Sequence, residues 1–136
     1  MRLVVALDYS DSSAMACRWA LSHLAGLGVE GLTFVHVLDG NAQALGAIEK
    51  ATRELRRFVE ALIGSPLPEA VEVRYSVVQG KPAAEVLAAA SAHKADAIVM
   101  GTNSRSGLDR LLLGSVAETV VRGASCTVIV VKPGPE

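Results

Sequence analysis

The sequence has few cysteines, few aromatic residues and no long apolar run, and each shortage excludes a class of protein. Cys17 and Cys126 are its two cysteines, and their separation matches no metal-binding or redox spacing. No segment approaches the roughly 18–20 apolar residues that a helix needs to cross a bilayer. We therefore expect a cytoplasmic protein in a reducing compartment, in which both thiols serve as small buried apolar groups.

An excess of charge of either sign is also missing. The formal net charge is −1, from 13 Lys and Arg residues and 14 Asp and Glu residues. Because a nucleic-acid-binding protein usually carries a clustered basic face, we expect no nucleic-acid partner. Because no apolar run is long enough to cross a bilayer, we also expect no membrane partner. Aromatic residues make up 4% of the chain and hydrophobic residues 51%, so its core must consist mainly of Val, Leu, Ile and Ala. The length fits a single domain over residues 1–136.

Strand and helix signals alternate along the whole chain. Strands are predicted at residues 3–7, 32–38, 71–78, 97–100 and 127–131, and helices at 11–26, 42–63, 82–93 and 115–122. The second helix has a predicted buried stripe made of Leu45, Ile48, Leu55, Val59 and Leu62. The third strand alternates apolar and polar residues, which is typical of a strand near a sheet edge. This order predicts an α/β three-layer sandwich, Rossmann-like, with a five-stranded parallel sheet and four helices.

A polar loop between the fourth strand and the fourth helix is the strongest candidate site. Gly101 follows the strand, and Gly114 and Ser115 open the helix, with Ser115 as the expected N-cap. Backbone N–H groups in such a loop and in the first turn of a helix can bind a phosphate group. Ligands of parallel sheets lie at the carboxyl ends of the strands, where Asp8 and Asp39 also stand. By spacing alone, however, the two glycines are more typical of ordinary turns.

Catalytic patterns are missing. No His, Cys or Ser residues have the spacing of a nucleophile and its base, and no pair of acidic residues stands out. Gly80 and Lys81 lack the preceding glycine of a P-loop, and Pro82 follows them. We therefore expect no enzyme, or at most a slow ATPase or autophosphorylating activity.

Six segments together resemble the universal stress protein family over nearly the whole chain. They are VVALDYSDSS at 4–13, FVHV at 34–37, GKPAAEVL at 80–87, ADAIVMG at 95–101, RSGL at 105–108 and LLLGSVAE at 111–118. The resemblance implies a flavodoxin-related fold, like that of the adenine nucleotide alpha hydrolases, and a homodimer. It also implies a role in the stress response, and ATP binding in many members of the family.

The loop departs from the ATP-binding pattern of that family at one position. The pattern is Gly, two residues, Gly, nine residues, Gly and then Ser or Thr, and Ser104 replaces the second glycine here. Asn103 stands where the family commonly has His. By resemblance, the residues that would bind ATP are Ala6, Leu7, Asp8, Val37, Met100, Gly101, Asn103, Ser104, Arg105, Gly114, Ser115 and Val116. Any Mg²⁺ would be held through the phosphates rather than by protein side chains.

Two of these residues have a more specific expected role. Val37 would offer backbone contacts to adenine, although it also fits a buried strand position. Asp8 would lie against the adenine-ribose end of the ligand, or would only cap the first helix. We expect His36 to be a strand-end histidine whose hydrogen bonds are satisfied within the protein.

Ser104 leaves several functions open. If the loop needs a positive φ angle, serine costs roughly 1–2 kcal/mol; if it needs clearance, the side chain would collide with phosphates. Alternatively, the Ser104 hydroxyl could donate to a phosphate oxygen, beside the charge of Arg105. The candidates are an ATP-binding stress-response regulator, a dimeric interaction module without nucleotide, and a binder of AMP or a cyclic nucleotide. The predicted dimer contact is the apolar edge strand Thr127–Val131.

Overall fold

The computed structural model describes residues 1–38, 45–102 and 113–133. Within these ranges strands and helices alternate without exception. The elements are β1 (Arg2–Ala6), α1 (Asp11–Ser22), β2 (Gly31–Leu38), α2 (Ala47–Leu62), β3 (Glu72–Gln79), α3 (Pro82–Ala92), β4 (Ala97–Gly101), α4 (Ser115–Gly123) and β5 (Thr127–Val131). Each strand lies within one or two residues of its predicted position, because continuous apolar runs bounded by turn residues mark buried strands well.

All five strands are parallel and form one sheet in the order β3-β2-β1-β4-β5. The central strand is β1, where Leu3 lies beside Leu32 of β2 on one side and Ala97 of β4 on the other. The predicted α/β fold with five parallel strands and four helices is confirmed. The edge position expected for β3 and the edge position expected for β5 are also correct.

Alternate residues of the central strands face two separate apolar layers. Leu3, Val5 and Phe34 point to the layer that contains α1 and α2, where Cys17 and Leu55 are fully buried. The opposite layer contains α3 and α4, and its buried members include Ile98, Met100, Val86, Ala117 and Val120. Because side chains alternate along a strand, one continuous apolar run supplies both layers.

The start of α2 was predicted wrongly. The helix begins at Ala47 after Gly46, whose φ of 81° is left-handed, and not at residue 42. Leu45 precedes the helix with 105% relative exposure, and Ile48 is also exposed at 37%, so neither belongs to the buried stripe. Ala51 lies in it instead, with Leu55 and Val59. The spacing of Leu45 and Ile48 fits a helical face, but among the described residues no apolar layer covers that end of α2.

Two further expectations need correction. Helix α1 ends at Ser22 and not at residue 26, and the chain then passes through turn residues to β2. Cys17 is buried as predicted, whereas Cys126 is only half-buried. Within residues 1–38, 45–102 and 113–133, no helix combines the length and the apolar character that crossing a membrane requires.

Candidate functional site

A cavity of about 350 Å³ lies at the carboxyl ends of β1, β2 and β4. Its position is the one expected for a ligand site, because the chain leaves central β1 toward β2 and later returns to the other side of β1 with β4. The lining residues come from these strand ends and from the first turns of three helices. They are Ala6, Leu7, Asp8, Ser13, Val35, His36, Val37, Leu38, Pro82, Val86, Met100, Gly101 and Val116.

Strand β2 extends beyond its neighbour β1 at this cavity. The pairing of the two strands ends at Ala6 and Val35, and one more bond joins the Leu7 N–H to the Val35 carbonyl at 2.8 Å. Because strand residues alternate in the neighbour to which they bond, Val37 directs its N–H and C=O to the same side as Val35. No main-chain hydrogen bond joins Val37 to Leu7 among the described residues. The Val37 peptide groups therefore face the cavity.

The turn after β1 places Asp8 at the cavity. One Asp8 carboxylate oxygen accepts hydrogen bonds from the backbone N–H of Ser10, at 3.0 Å, and from the Ser10 hydroxyl. Ser10 in turn is the N-cap of α1, because its Oγ accepts from the Ser13 N–H at 3.1 Å. Asp8 therefore supports the cap without being the cap, which corrects one of its two expected roles.

Tyr9 has a left-handed backbone, with φ of 67°, which is unusual for a bulky residue. Its ring packs against His36, with centroids 4.4 Å apart, and edge-on against Phe58, at 5.0 Å. Burial raises the pKa of Tyr9 above its usual value, and the negative charge of Glu54 raises that pKa further. The aromatic contacts hold the turn in a conformation that costs of order 1–3 kcal/mol on its own.

His36 also bonds to this turn. Its Nδ1 lies 2.8 Å from the carbonyl oxygen of Leu7, and a carbonyl oxygen can only accept, so Nδ1 carries the hydrogen. The expectation that His36 is satisfied within the protein is confirmed. Its contribution to the cavity wall was not expected.

Gly101 has a packing role that the sequence did not reveal. A Cβ at this position would lie 2.1 Å from Ser12 Oγ and 2.5 Å from the Ser12 carbonyl oxygen. The next residue, Thr102, is buried, and its Oγ1 lies 3.4 Å from Ser12 Oγ. The end of β4 and the first turn of α1 can approach this closely only because residue 101 has no side chain.

The N-terminus of α4 borders the same cavity. Gly114 is its N-cap, with no side-chain hydrogen bond to the cap, and Ser115 is the exposed first helical residue. The predicted capping role of Ser115 is therefore wrong. The Gly114 N–H donates to the Thr102 carbonyl at 2.7 Å, which joins the two chain segments that flank residues 103–112. The N–H groups of the first turn of an α-helix have no partners within the helix, so this end is suited to an anion.

Seven of the twelve residues predicted to bind a ligand line the cavity. They are Ala6, Leu7, Asp8, Val37, Met100, Gly101 and Val116. Gly114 and Ser115 lie beside it at the start of α4. Asn103, Ser104 and Arg105, and also Asp39, lie outside the described residues.

Six lining residues were missed. They are Ser13, Val35, His36, Leu38, Pro82 and Val86. Pro82 and Val86 belong to the first turns of α3, and its proline start was visible in the sequence as a helix N-terminus near the strand ends. In residues 1–38, 45–102 and 113–133, no group of three or more His, Cys, Asp and Glu side chains could hold a metal ion.

The sequence matches the model of the universal stress protein family over residues 1–132. A universal stress protein of Methanocaldococcus jannaschii is 50% identical to it, in an alignment that covers 96% of this chain and 81% of the relative.

Among the solved structures with a similar fold are two that contain an adenine nucleotide. One is a universal stress protein in complex with cAMP, with a TM-score of 0.71, 24% identity and 96% of each chain covered. The other is the universal stress protein from Archaeoglobus fulgidus in complex with dAMP, with a TM-score of 0.66, 23% identity and 96% of each chain covered. At these identities the likeness establishes the shared fold.

Proposed function

This chain belongs to the universal stress protein family, and from that premise we propose that it is a dimeric stress-response regulator which binds an adenine nucleotide in the cavity beside β1. The nucleotide is proposed to act by occupancy rather than by turnover. Occupancy would place negative charge at the start of α4 and so change the surface presented to partners.

The observation that carries this proposal is the pair of Val37 peptide groups directed into the cavity. An adenine base presents an amino donor next to ring-nitrogen acceptors, which complements one C=O and one N–H on the same strand edge. Val86, Met100 and Val116 provide apolar walls for the faces of the base. Asp8 supplies acceptor oxygens, which suit the hydroxyl groups of a ribose.

The phosphates are proposed to lie toward the start of α4. Val116 in the first turn of this helix lines the cavity, so phosphates that extend from the base would meet the N–H groups of that turn. Ser104 and Arg105 are proposed to complete this part of the site, and Mg²⁺ would accompany a triphosphate and offset its charge. The relatives with cAMP and dAMP support the adenine nucleotide class, and the number of phosphates is the variable to be measured.

The decisive experiment is a thermal-stability panel with Mg·ATP, AMP, cAMP and Mg·GTP. A ligand at 100 times its dissociation constant should add about 2.7 kcal/mol to the free energy of unfolding. We expect the adenine ligands to raise the melting temperature and Mg·GTP to have little effect, because guanine has a carbonyl where adenine has its amino group. If no adenine nucleotide raises it, and denaturing the purified protein releases none, the proposal is wrong.

Ser104→Gly tests the phosphate end separately from the base. If clearance limits binding, the glycine variant binds Mg·ATP more tightly than the wild type while AMP affinity changes less. If the Ser104 hydroxyl donates to a phosphate, the same variant binds Mg·ATP more weakly. Ser106→Gly, a second serine of the same segment, is the matched control.

A dimeric interaction module without nucleotide is the second candidate. The close contact of Gly101 with Ser12 is compatible with it, because the packing of α1 on β4 requires this glycine whether or not a phosphate binds. In this case the edge strand β5 (Thr127–Val131) would still pair with a second copy, and the ligand panel would give no shift.

A further inference from the structure

We propose that His36 is a positioning residue which keeps the Val37 N–H out of the sheet and available to the base. The inference rests on the proposed nucleotide binding for its functional consequence. Its structural part, the state of the Val37 N–H, is independent of any ligand. The observation behind it is the hydrogen bond between His36 Nδ1 and the Leu7 carbonyl, 2.8 Å long.

The Leu7 carbonyl is the acceptor that Val37 would use if the sheet continued. The Leu7 N–H already donates to the Val35 carbonyl, and in a regular parallel ladder the next bond runs from the Val37 N–H to the Leu7 carbonyl. That bond is not present between these two described residues. The imidazole of His36 bonds to this carbonyl in its place, so the ladder between β1 and β2 ends one bond early.

The His36 ring is held in this position by the turn after β1. Tyr9 packs on the ring at a centroid distance of 4.4 Å, and Phe58 of α2 contacts Tyr9 edge-on at 5.0 Å. Directly after Asp8 the left-handed φ of Tyr9, 67°, departs from strand geometry, and α1 begins at Asp11. The strained turn and the histidine bond therefore act together, since both prevent β1 from extending beside Val37.

This arrangement explains why a polar side chain stands within the otherwise apolar segment 34–38 of β2. A buried peptide N–H without a partner costs free energy of order 1–3 kcal/mol, so a free Val37 N–H facing the cavity is unfavourable unless a ligand or water uses it. An apolar residue at position 36 would release the Leu7 carbonyl to the Val37 N–H. Strand β2 would then gain a hydrogen bond to Leu7, and the cavity would lose the Val37 N–H as a donor to a ligand.

The structural part is tested on the unliganded protein by amide hydrogen exchange at Val37. In the wild type we expect fast exchange relative to Val35, whose pairing lies inside the sheet. In His36→Leu the Val37 amide should become at least roughly tenfold more protected, as its N–H closes onto the Leu7 carbonyl. His36→Asn carries an N–H donor near the position of Nδ1 and should exchange like the wild type. Equal exchange at Val37 in all three proteins would overturn the proposal.

The functional part is tested with AMP and Mg·ATP as probes. We expect His36→Leu and His36→Gln to bind roughly tenfold more weakly than the wild type, and His36→Asn to bind nearly as well as it, because only Asn replaces the Nδ1 donor. If Asn is as weak as Leu while its Val37 exchange is normal, His36 contacts the ligand directly and the positioning role is wrong.

A matched control is His23→Leu. The Nδ1 of His23 also lies near a backbone carbonyl, that of Trp19 at 2.6 Å, but on the exposed end of α1. This variant should change neither Val37 exchange nor affinity. If the wild type binds neither probe, the proposed nucleotide function fails, whereas the exchange experiment still decides whether His36 ends the ladder.

Discussion

Gly101 and Ser12 are in such close contact that a Cβ on Gly101 would lie 2.5 Å from the Ser12 carbonyl oxygen. The contact joins the carboxyl end of β4 to the first turn of α1, which are separated by most of the chain. Both ends border the candidate cavity, where Gly101 and Ser13 are lining residues. The same glycine therefore fixes the packing of two elements and shapes one wall of the site.

Gly101→Ala should destabilise the protein even without ligand. The added methyl group would meet the carbonyl group of Ser12 as well as its hydroxyl, so rotation of the Ser12 side chain is not enough and α1 or β4 must move. Overpacking of this kind costs about 1–3 kcal/mol, which corresponds to a lower melting temperature by several degrees in a domain of this size. Thermal or urea unfolding monitored by circular dichroism measures the change.

The control for this variant is Gly64→Ala. Gly64 has no atom within 4 Å of the added Cβ and is exposed, so its substitution should leave stability within about 0.5 kcal/mol of the wild type. Equal stability of the two variants would show that α1 is not packed on Gly101 as described.

Sequence patterns predicted the fold because its signals are local. The apolar runs of β1 and β4 bounded by Asp8 and Gly101 define strands wherever they occur, and the strict alternation with helices leaves few parallel topologies. The errors came from positions where the tertiary structure decides. Leu45 has helical spacing but is exposed and precedes the helix, and Ser115 is a good N-cap residue one position too late.

The candidate site was only partly predictable for the same reason. Asp8, Val37 and Met100 were found because they lie at strand ends within recognisable family segments. His36 was seen as a satisfied histidine, but its partner, the Leu7 carbonyl, is 29 positions away in sequence. No local sequence pattern predicts such a hydrogen bond, because it depends on the register of β1 against β2.

Val116→Phe should weaken adenine nucleotide binding with little loss of stability. Val116 is half-buried in the first turn of α4 and lines the cavity. The ring of phenylalanine at this position would fill the space proposed for the base. We expect AMP and Mg·ATP affinities to fall at least roughly tenfold, equivalent to about 1.4 kcal/mol. Isothermal titration calorimetry measures this, and unchanged affinity would exclude the cavity as the base site.

Val121→Phe on the same helix is the control for that experiment. Val121 is exposed at 44% and does not line the cavity. The same substitution should leave both affinities unchanged there. A loss in both variants would indicate a general effect on α4 and not an effect on the cavity.

The proposed dimer through β5 (Thr127–Val131) predicts sensitivity to charge on that edge strand. Thr127 is the exposed residue of this edge strand, so Thr127→Glu places a carboxylate where a second copy would pair and should shift a dimer to monomer. Light scattering after size exclusion at micromolar concentration measures the mass. Gln79→Glu, at the exposed end of the opposite edge strand β3, is the control and should not change it. A wild type that is monomeric under these conditions would contradict the proposed interface.

The two cysteines should react in a fixed order. Burial raises the pKa of the Cys17 thiol to about 12, and the nearby Arg18 lowers it only in part. The thiolate is the reactive form, so Cys17 should be inert in the folded protein while half-buried Cys126 reacts. Labelling with a thiol reagent at pH 8 should modify one cysteine, identified as Cys126 by peptide mass spectrometry, and the second only after unfolding.

The same raised pKa makes stability depend on alkaline pH. The unfolded thiol of Cys17 ionises near its ordinary value of about 8.5, whereas the folded thiol stays protonated until about 12. Unfolding therefore releases a proton between these values, and the stability that protonated Cys17 provides is complete below the lower value and lost as pH rises toward the upper one. Cys17→Ala removes this dependence, so the difference in free energy of unfolding between wild type and variant should shrink from pH 9 upward. A difference that stays constant to pH 11 in urea unfolding would show that Cys17 ionises as readily in the folded protein as in the unfolded chain.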